Sequence, residues 1–407
     1  MLKFASFLKE EKNTHMEHLE DMIFNDGVEG TRLAINSLRS LRDMLAGRSK
    51  SKVNVTVKWD GAPAIFAGID PSDGKFFIAK KGIFNVNPQL FKNKEDILST
   101  LSGDLQTKFL VAFEEFSKLG IKKGVYQGDL MFTKSDIEIN TIDGVKYYSF
   151  QPNTIMYVVP VNTELGRQIA RSKIGVVWHT TYTGNKIQNM TASFGEGIVA
   201  KMKRSRAVWM DDATYRDVSG NATFTEEETE QVTEILSQAG SLFRNISSTA
   251  LNTIRDDEEL KQKIKTFNNT FVRAGEPFPE PQKHVSGLYD YIMSWYQKEI
   301  DSKAQQKTKN LWIGKRDEVL KKVFQNTNDL VNIFRLMNLM VQAKQLIINK
   351  MNNASRIGTF LKTKRGFEVT NQEGFVAIDH IGRAVKIVDR LEFSKANFSP
   401  DVLKGWQ

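Results

Sequence analysis

A return to strand-like alternation near the C-terminus, after a long helical block, constrains this fold most. From about 224 to 353 apolar residues recur at helical spacing, and from 357 to 393 the chain reverts to period two, as in FEVTNQEGFVAIDHIGRAVKIVDRLEF at 367–393. An earlier strand-like region runs from 53 to about 215, with Phe76 to Ala79, Val125 to Gln127, Lys146 to Phe150, Ile155 to Val159, Val176 to Trp178 and Gly197 to Met202 as its runs. One helix interrupts it, around Lys94 to Leu119. Short strands joined by turns predict a mostly antiparallel α+β core. The helical block then reads as an insertion, and the C-terminal strands complete the sheet.

Helix signals frame both ends of that scheme. Residues 2 to 47 carry apolar residues at helical spacing, broken at Asn25-Asp26-Gly27, and His15 and His18 are read as surface helix residues. Thr225 followed by three glutamates is an N-cap with acids facing the helix dipole. Pro277, Pro279 and Pro281 mark a loop, and the piece from Arg316 to Met351 packs Val319, Leu320, Val323, Phe324, Leu330, Ile333, Phe334, Met337, Met340 and Val341. Its methionines read as core filling. The expected units are 1–50 (helical), 51–215 (core, first part), 216–355 (helical insertion) and 356–407 (core, second part).

Composition narrows the function classes. The 407 residues include no cysteine, which removes disulfides, thiolate zinc sites and cysteine nucleophiles. No run of about 18 apolar residues predicts a membrane span, and the charged N-terminus does not resemble a secretory signal. A cytoplasmic protein is expected. The net charge of +9 suits a polyanionic partner.

The stretch VNVTVKWDGAPAIFAG carries the chemistry. Val53, Val55 and Val57 alternate with Asn54, Thr56 and Lys58, and Asp60-Gly61 then breaks the strand. A lysine at a strand end beside a turn is a candidate amine nucleophile, which must shed a proton before it attacks. Lys58-Trp59-Asp60-Gly61 resembles the K-x-D-G signature of the covalent nucleotidyltransferases, the ATP-dependent DNA and RNA ligases and mRNA capping enzymes.

Further motifs follow in the family's order. Lys80 or Lys81, before Gly82, stands where a basic residue helps hold phosphate. Val125 to Leu130 is similar to motif III, with Asp129 where glutamate is usual and Gln127 where an acid often stands. Phe150 matches the aromatic that stacks on the purine. Motif IV has two candidates, Glu196 and Glu373. Glu373 is preferred because Lys386 follows thirteen residues on, across a turn from His380 to Arg383, as motif V requires. After Glu196, Lys201 and Lys203 share its own strand. Where the family often has a second lysine, this chain has Val388.

The pattern is closest to phage RNA ligases of the tRNA-repair type. The resemblance implies an ATP-grasp-like nucleotidyltransferase core that uses ATP and Mg²⁺. Lys58 is then the adenylylated nucleophile, and Lys58, Glu373 and Lys386 are catalytic. Asp60, Gly61, Lys80, Lys81, Asp129 and Phe150 join them around the nucleotide, with Asp129 and Glu373 toward the metal. Fewer than twenty residues follow the motif V strand, so a C-terminal OB domain is not expected, which favours RNA over DNA as the nucleic-acid partner. Two rivals keep the fold: NMP transfer to a protein or small molecule, and a degenerate nucleotide- or nucleic-acid-binding module.

Overall fold

The pattern blocks of the sequence become three sheets and a helical layer. The computed structural model describes residues 17–47, 54–194, 197–215, 222–354, 357–378 and 383–405. Expectations for residues 2–16 (His15 included), Val53, Glu196 and His380 lie outside these residues. In chain order come α1 (Met22–Leu45), β1 (Asn54–Lys58), β2 (Ala64–Ile69), β3 (Phe76–Ala79), α2 (Lys94–Thr100), α3 (Gly103–Phe116), β4 (Val125–Thr133), β5 (Glu138–Ile142), β6 (Val145–Phe150), β7 (Ile155–Pro160), α4 (Glu164–Arg171), β8 (Ile174–Thr183), β9 (Thr191–Phe194) and β10 (Val208–Asp212). The helical block is α5 (Glu226–Asn245), α6 (Ser248–Asp256), α7 (Glu258–Ala274), α8 (Pro281–Asp301), α9 (Gln306–Gln325) and α10 (Thr327–Asn352). The chain returns through β11 (Gly358–Thr363), β12 (Gly366–Val369), β13 (Gly374–Ile378), β14 (Ala384–Ile387) and α11 (Arg390–Phe398).

Pairing is antiparallel except between β10 and β8. The largest sheet runs β10-β8-β4-β2-β3 with β9 on β8, and another runs β12-β11-β7-β6-β5. A small sheet orders β1-β13-β14, so a strand from each end of the chain meets across the helical block. The C-terminal strands do pair with earlier ones, but they enter two different sheets rather than completing one.

Local signals account for the helix ends. The Thr225 hydroxyl accepts from the Glu228 amide at 3.1 Å while the Glu228 carboxylate accepts from the Thr225 amide at 2.7 Å, a reciprocal cap. Pro281 opens α8, where a missing N–H costs nothing. The expected helix at 94–119 is broken: Leu101 is extended and Gly103 has φ +60°. Arg316 to Met351 likewise divides at Asn326. Gly197 to Met202 is not a strand but contains a 3-10 turn at Val199–Lys201.

The helical block shares one core with α1 and the small sheet. Leu38 and Leu41 of α1, Phe334, Met337 and Met340 of α10, and Phe375, Ala377, Val385 and Ile387 of the sheet belong to a single buried cluster. The methionines fill it as expected, whereas Phe324 of α9 is 77% exposed. No helix among the described residues is long and apolar enough to cross a membrane.

A buried ionic knot fastens the N-terminal arm to this core. Lys344 of α10 donates to both Glu20 oxygens at 2.9 and 2.8 Å, and Arg390 of α11 reaches Asp21 at 3.1 Å. Next to it, the Lys386 amide donates to the Glu17 carbonyl at 3.0 Å. His18 is extended and bridges to Lys386, so the surface-helix expectation for it fails. An isolated bridge beside a sheet edge has overridden helical spacing there.

Buried imidazoles make stability acid-sensitive. His284 stacks on Phe334 with ring centroids 3.9 Å apart, its Nε2 lies 2.8 Å from Asn268 Oδ1, and burial lowers its pKa to about 4. The unfolded chain therefore takes up a proton that the folded ring refuses. This contribution is whole above about pH 6.5 and is lost as pH falls toward 4, up to ~3 kcal/mol. His18 and His179, lowered by burial to about 3 and about 4, act in the same direction. Urea unfolding from pH 7 to 4.5 should show falling stability, with a shallower slope in His284→Gln. An unchanged slope would contradict the neutral buried ring.

Candidate functional site

The small sheet has a covered face and a working face. Val55, Phe375, Ala377, Val385 and Ile387 point into the shared core, so strand alternation turns Thr56, Lys58, Val376 and Lys386 the other way. Lys58 ends β1 opposite Gly374, and Val376 pairs with both Thr56 and Lys386. Glu373, just before β13, thereby comes against Lys58, and the two form an ion pair with Glu373 mostly buried. Gly374 has φ +143°, and a Cβ there would stand 2.7 Å from Val388.

The turn after Lys58 is pinned from the next sheet. The Asp60 carboxylate accepts from the amides of Thr154 and Ile155 at 2.8 and 2.7 Å and from the Asn153 side chain at 2.8 Å. The Asp60 amide donates to the Tyr157 hydroxyl at 2.7 Å. Asp60 is thus spent on positioning the turn. Gly61 is demanded by close approach: a Cβ there would lie 2.5 Å from Asp129 Cβ and 3.1 Å from the Leu130 carbonyl.

That approach brings in Asp129, which β4 presents beside Ala64 of β2. Burial raises its carboxyl to about 7, against the opposing charges of Lys58 and Lys81. The Glu373 carboxyl is also raised, by burial first, with Lys58 pulling it down. Burial lowers Lys386, and the charge of Lys58 lowers it further. Lys58 and Lys386 thus repel each other on one face of the sheet, and the Glu373 carboxylate offsets part of that repulsion.

The comparisons with known proteins come to one match: a model for a family of unknown function (DUF6267), covering residues 13–401. The chain belongs to the DUF6267 family. No curated protein and no solved structure matches it.

In this DUF6267 chain the fold gathers Lys58, Asp60, Gly61, Asp129, Glu373 and Lys386, with Lys81 exposed but within electrostatic reach of Asp129. Lys80 adjoins Lys81 at the end of β3, half-buried. Phe150 is not at the site. It is 1% exposed and stacks on Tyr157 at 5.7 Å, against Phe132 and Trp209. Its ring belongs to the aromatic wall behind Trp59, as strand aromatics commonly do.

One site residue escaped the sequence reading. His179 of β8 lies with its Nε2 3.7 Å from the Asp129 carboxylate. Burial, then the charge of Lys58, lowers its pKa to about 4, so the ring is neutral at pH 7 and the contact is not an ion pair. Among the described residues no three His, Cys, Asp or Glu side chains converge on one point.

Proposed function

We propose that this chain is an ATP-dependent nucleotidyltransferase that carries AMP on Lys58, most simply a polynucleotide ligase acting on RNA rather than DNA. The observation that carries the reading is the Lys58–Glu373 pair with Lys386 on the same face of the sheet. Residues from opposite ends of the chain, matched to motifs I, IV and V in order, meet on one small sheet, which supports a shared phosphate site.

The chemistry follows from those groups. The Lys58 nitrogen, once deprotonated, attacks the α-phosphorus; an N–P bond forms, the bond to the β-phosphate oxygen breaks, and pyrophosphate leaves. Lys386 and Lys81 offset phosphate charge. AMP then passes to a 5′-phosphate, regenerating the Lys58 amine, and a 3′-hydroxyl displaces AMP to join the strands. Asp60 holds the nucleophile's turn, because alignment supplies most of the catalysis in such transfers. The Glu373 carboxylate is engaged by Lys58, so Asp129 is the carboxylate free to face a cation. A bound Mg²⁺ would supply further charge neutralisation at the phosphates.

A binding-only reading draws on buried, apolar Val388 at the position of a second lysine. The test is incubation with Mg²⁺ and α-labelled ATP or GTP, followed by a denaturing gel, intact mass and pyrophosphate treatment to remove prior adenylate. A labelled band that discharges onto 5′-phosphorylated RNA is expected. Discharge only onto another acceptor would favour NMP transfer to a protein or small molecule. No label and no mass shift after pyrophosphate treatment would overturn covalent transfer.

A further inference from the structure

We propose that His179 Nε2 and Asp129 Oδ2 are two ligands of a divalent-cation site that takes a first-row transition metal, with Mn²⁺ as its probe, in preference to Mg²⁺. The backbone is built to bring them together. Along β4 and β8, Gln127 pairs with Thr180 but Gly128 pairs with Trp178, so His179 is the extra residue of a bulge. A bulge breaks the in-out alternation and re-aims a side chain. Here it turns the ring toward Asp129 on the neighbouring strand.

The remaining contacts leave the right atoms free. Thr180 Oγ1 lies 2.7 Å from Nδ1 and fixes the ring, so Nε2 is the nitrogen presented to the carboxylate. The Nε2–Oδ2 separation of 3.7 Å exceeds hydrogen-bond range. It suits two ligands that each stand about 2.1 Å from a shared ion. The Asp129 carboxylate accepts no hydrogen bond among the described residues, and Lys58, the cation whose charge acts most on it, is held by Glu373. Both side chains keep about a quarter of their surface accessible, 26% and 23%, which leaves open positions for water or phosphate. An imidazole ligand shifts preference away from Mg²⁺, which favours oxygen, toward Mn²⁺ and later metals.

The cation's role in catalysis rests on the nucleotidyltransferase reading, but its binding does not. The experiment is therefore run without nucleotide. Mn²⁺ is titrated into the full chain, and loss of the free-ion electron paramagnetic resonance signal reports binding. Electron spin echo modulation then reports a ¹⁴N nucleus bound to the ion. The expected result is ¹⁴N coupling in the wild type, with at least about tenfold weaker binding and no coupling in His179→Gln. Mg²⁺ in tenfold excess should displace little Mn²⁺. Asp129→Asn should weaken binding comparably. The wild-type coupling decides even if a variant fails to fold. Bound Mn²⁺ without nitrogen coupling, no bound Mn²⁺, or coupling retained in folded His179→Gln would each overturn the proposal. A covalent label with no nitrogen-coupled Mn²⁺ would sink this inference alone. Nitrogen-coupled Mn²⁺ with no label would sink the nucleotidyltransferase reading and leave the cation site standing.

Discussion

Lys58→Arg is expected to form no labelled adduct, the same result as Lys58→Ala. Both should lose at least about a thousandfold in adduct formation, as removal of a covalent nucleophile does. The arginine variant is the more informative. It keeps a cation opposite Glu373, so the small sheet retains its ion pair, but a guanidinium stays protonated in proteins and has no nitrogen lone pair to give phosphorus. A lost anion-binding charge would be restored by arginine, whereas a lost nucleophile would not. The label is read on a denaturing gel, beside a thermal melt that checks folding. Adduct formation by folded Lys58→Ala at the wild-type level would show that Lys58 is not the acceptor.

The second large effect is on stability. Lys344→Ala should cost up to about 3–5 kcal/mol, because it leaves the Glu20 carboxylate with only its longer contact to Arg390, 3.5 Å, in a core where the Lys344 and Glu20 side chains are nearly inaccessible, 2% and 1%. That is a large part of a typical stability of roughly 5–15 kcal/mol. Pairing Lys344→Met with Glu20→Leu should recover most of the loss, since an ion pair replaced as a unit leaves no orphan charge. Urea unfolding at pH 7 measures both, and a Lys344→Ala cost below about 1 kcal/mol would refute the buried pair. Acid adds a check of sign. Burial alone would push Glu20 up, but Lys344 and Arg390 prevail and hold it at about 2. Its contribution is complete above the usual carboxylate range and fades as pH falls from about 4.5 toward 2. The Glu20→Leu/Lys344→Met protein should lack that portion of the acid slope.

The knot matters beyond stability because of what it holds. Glu20 and Asp21 anchor the arm whose Glu17 carbonyl takes the Lys386 amide. Loosening the arm frees the edge of β14 that carries a candidate phosphate ligand. The helical block is therefore joined to the site through the arm and the covered face of the small sheet.

What the sequence determined by itself is local. The Thr225 cap, the apolar spacing of α10 and the alternation through β1, β13 and β14 are set by neighbours a few residues apart, and they appear where the pattern predicts. Motif order likewise points to Lys58, Glu373 and Lys386, which the fold places on one small sheet. The expected helix of 94–119 divided at Leu101 and Gly103, because apolar spacing continues across a turn that backbone dihedrals do not. Only the tertiary structure decided the rest. Phe150 moved into the aromatic wall, Asp60 became an anchor through amides nearly a hundred residues away, and His18 left its expected helix for the edge of β14. His179 gained its neighbour from a one-residue slip between β4 and β8. Alternation reports which side a strand residue faces only while the register holds, and a bulge is set by the partner strand.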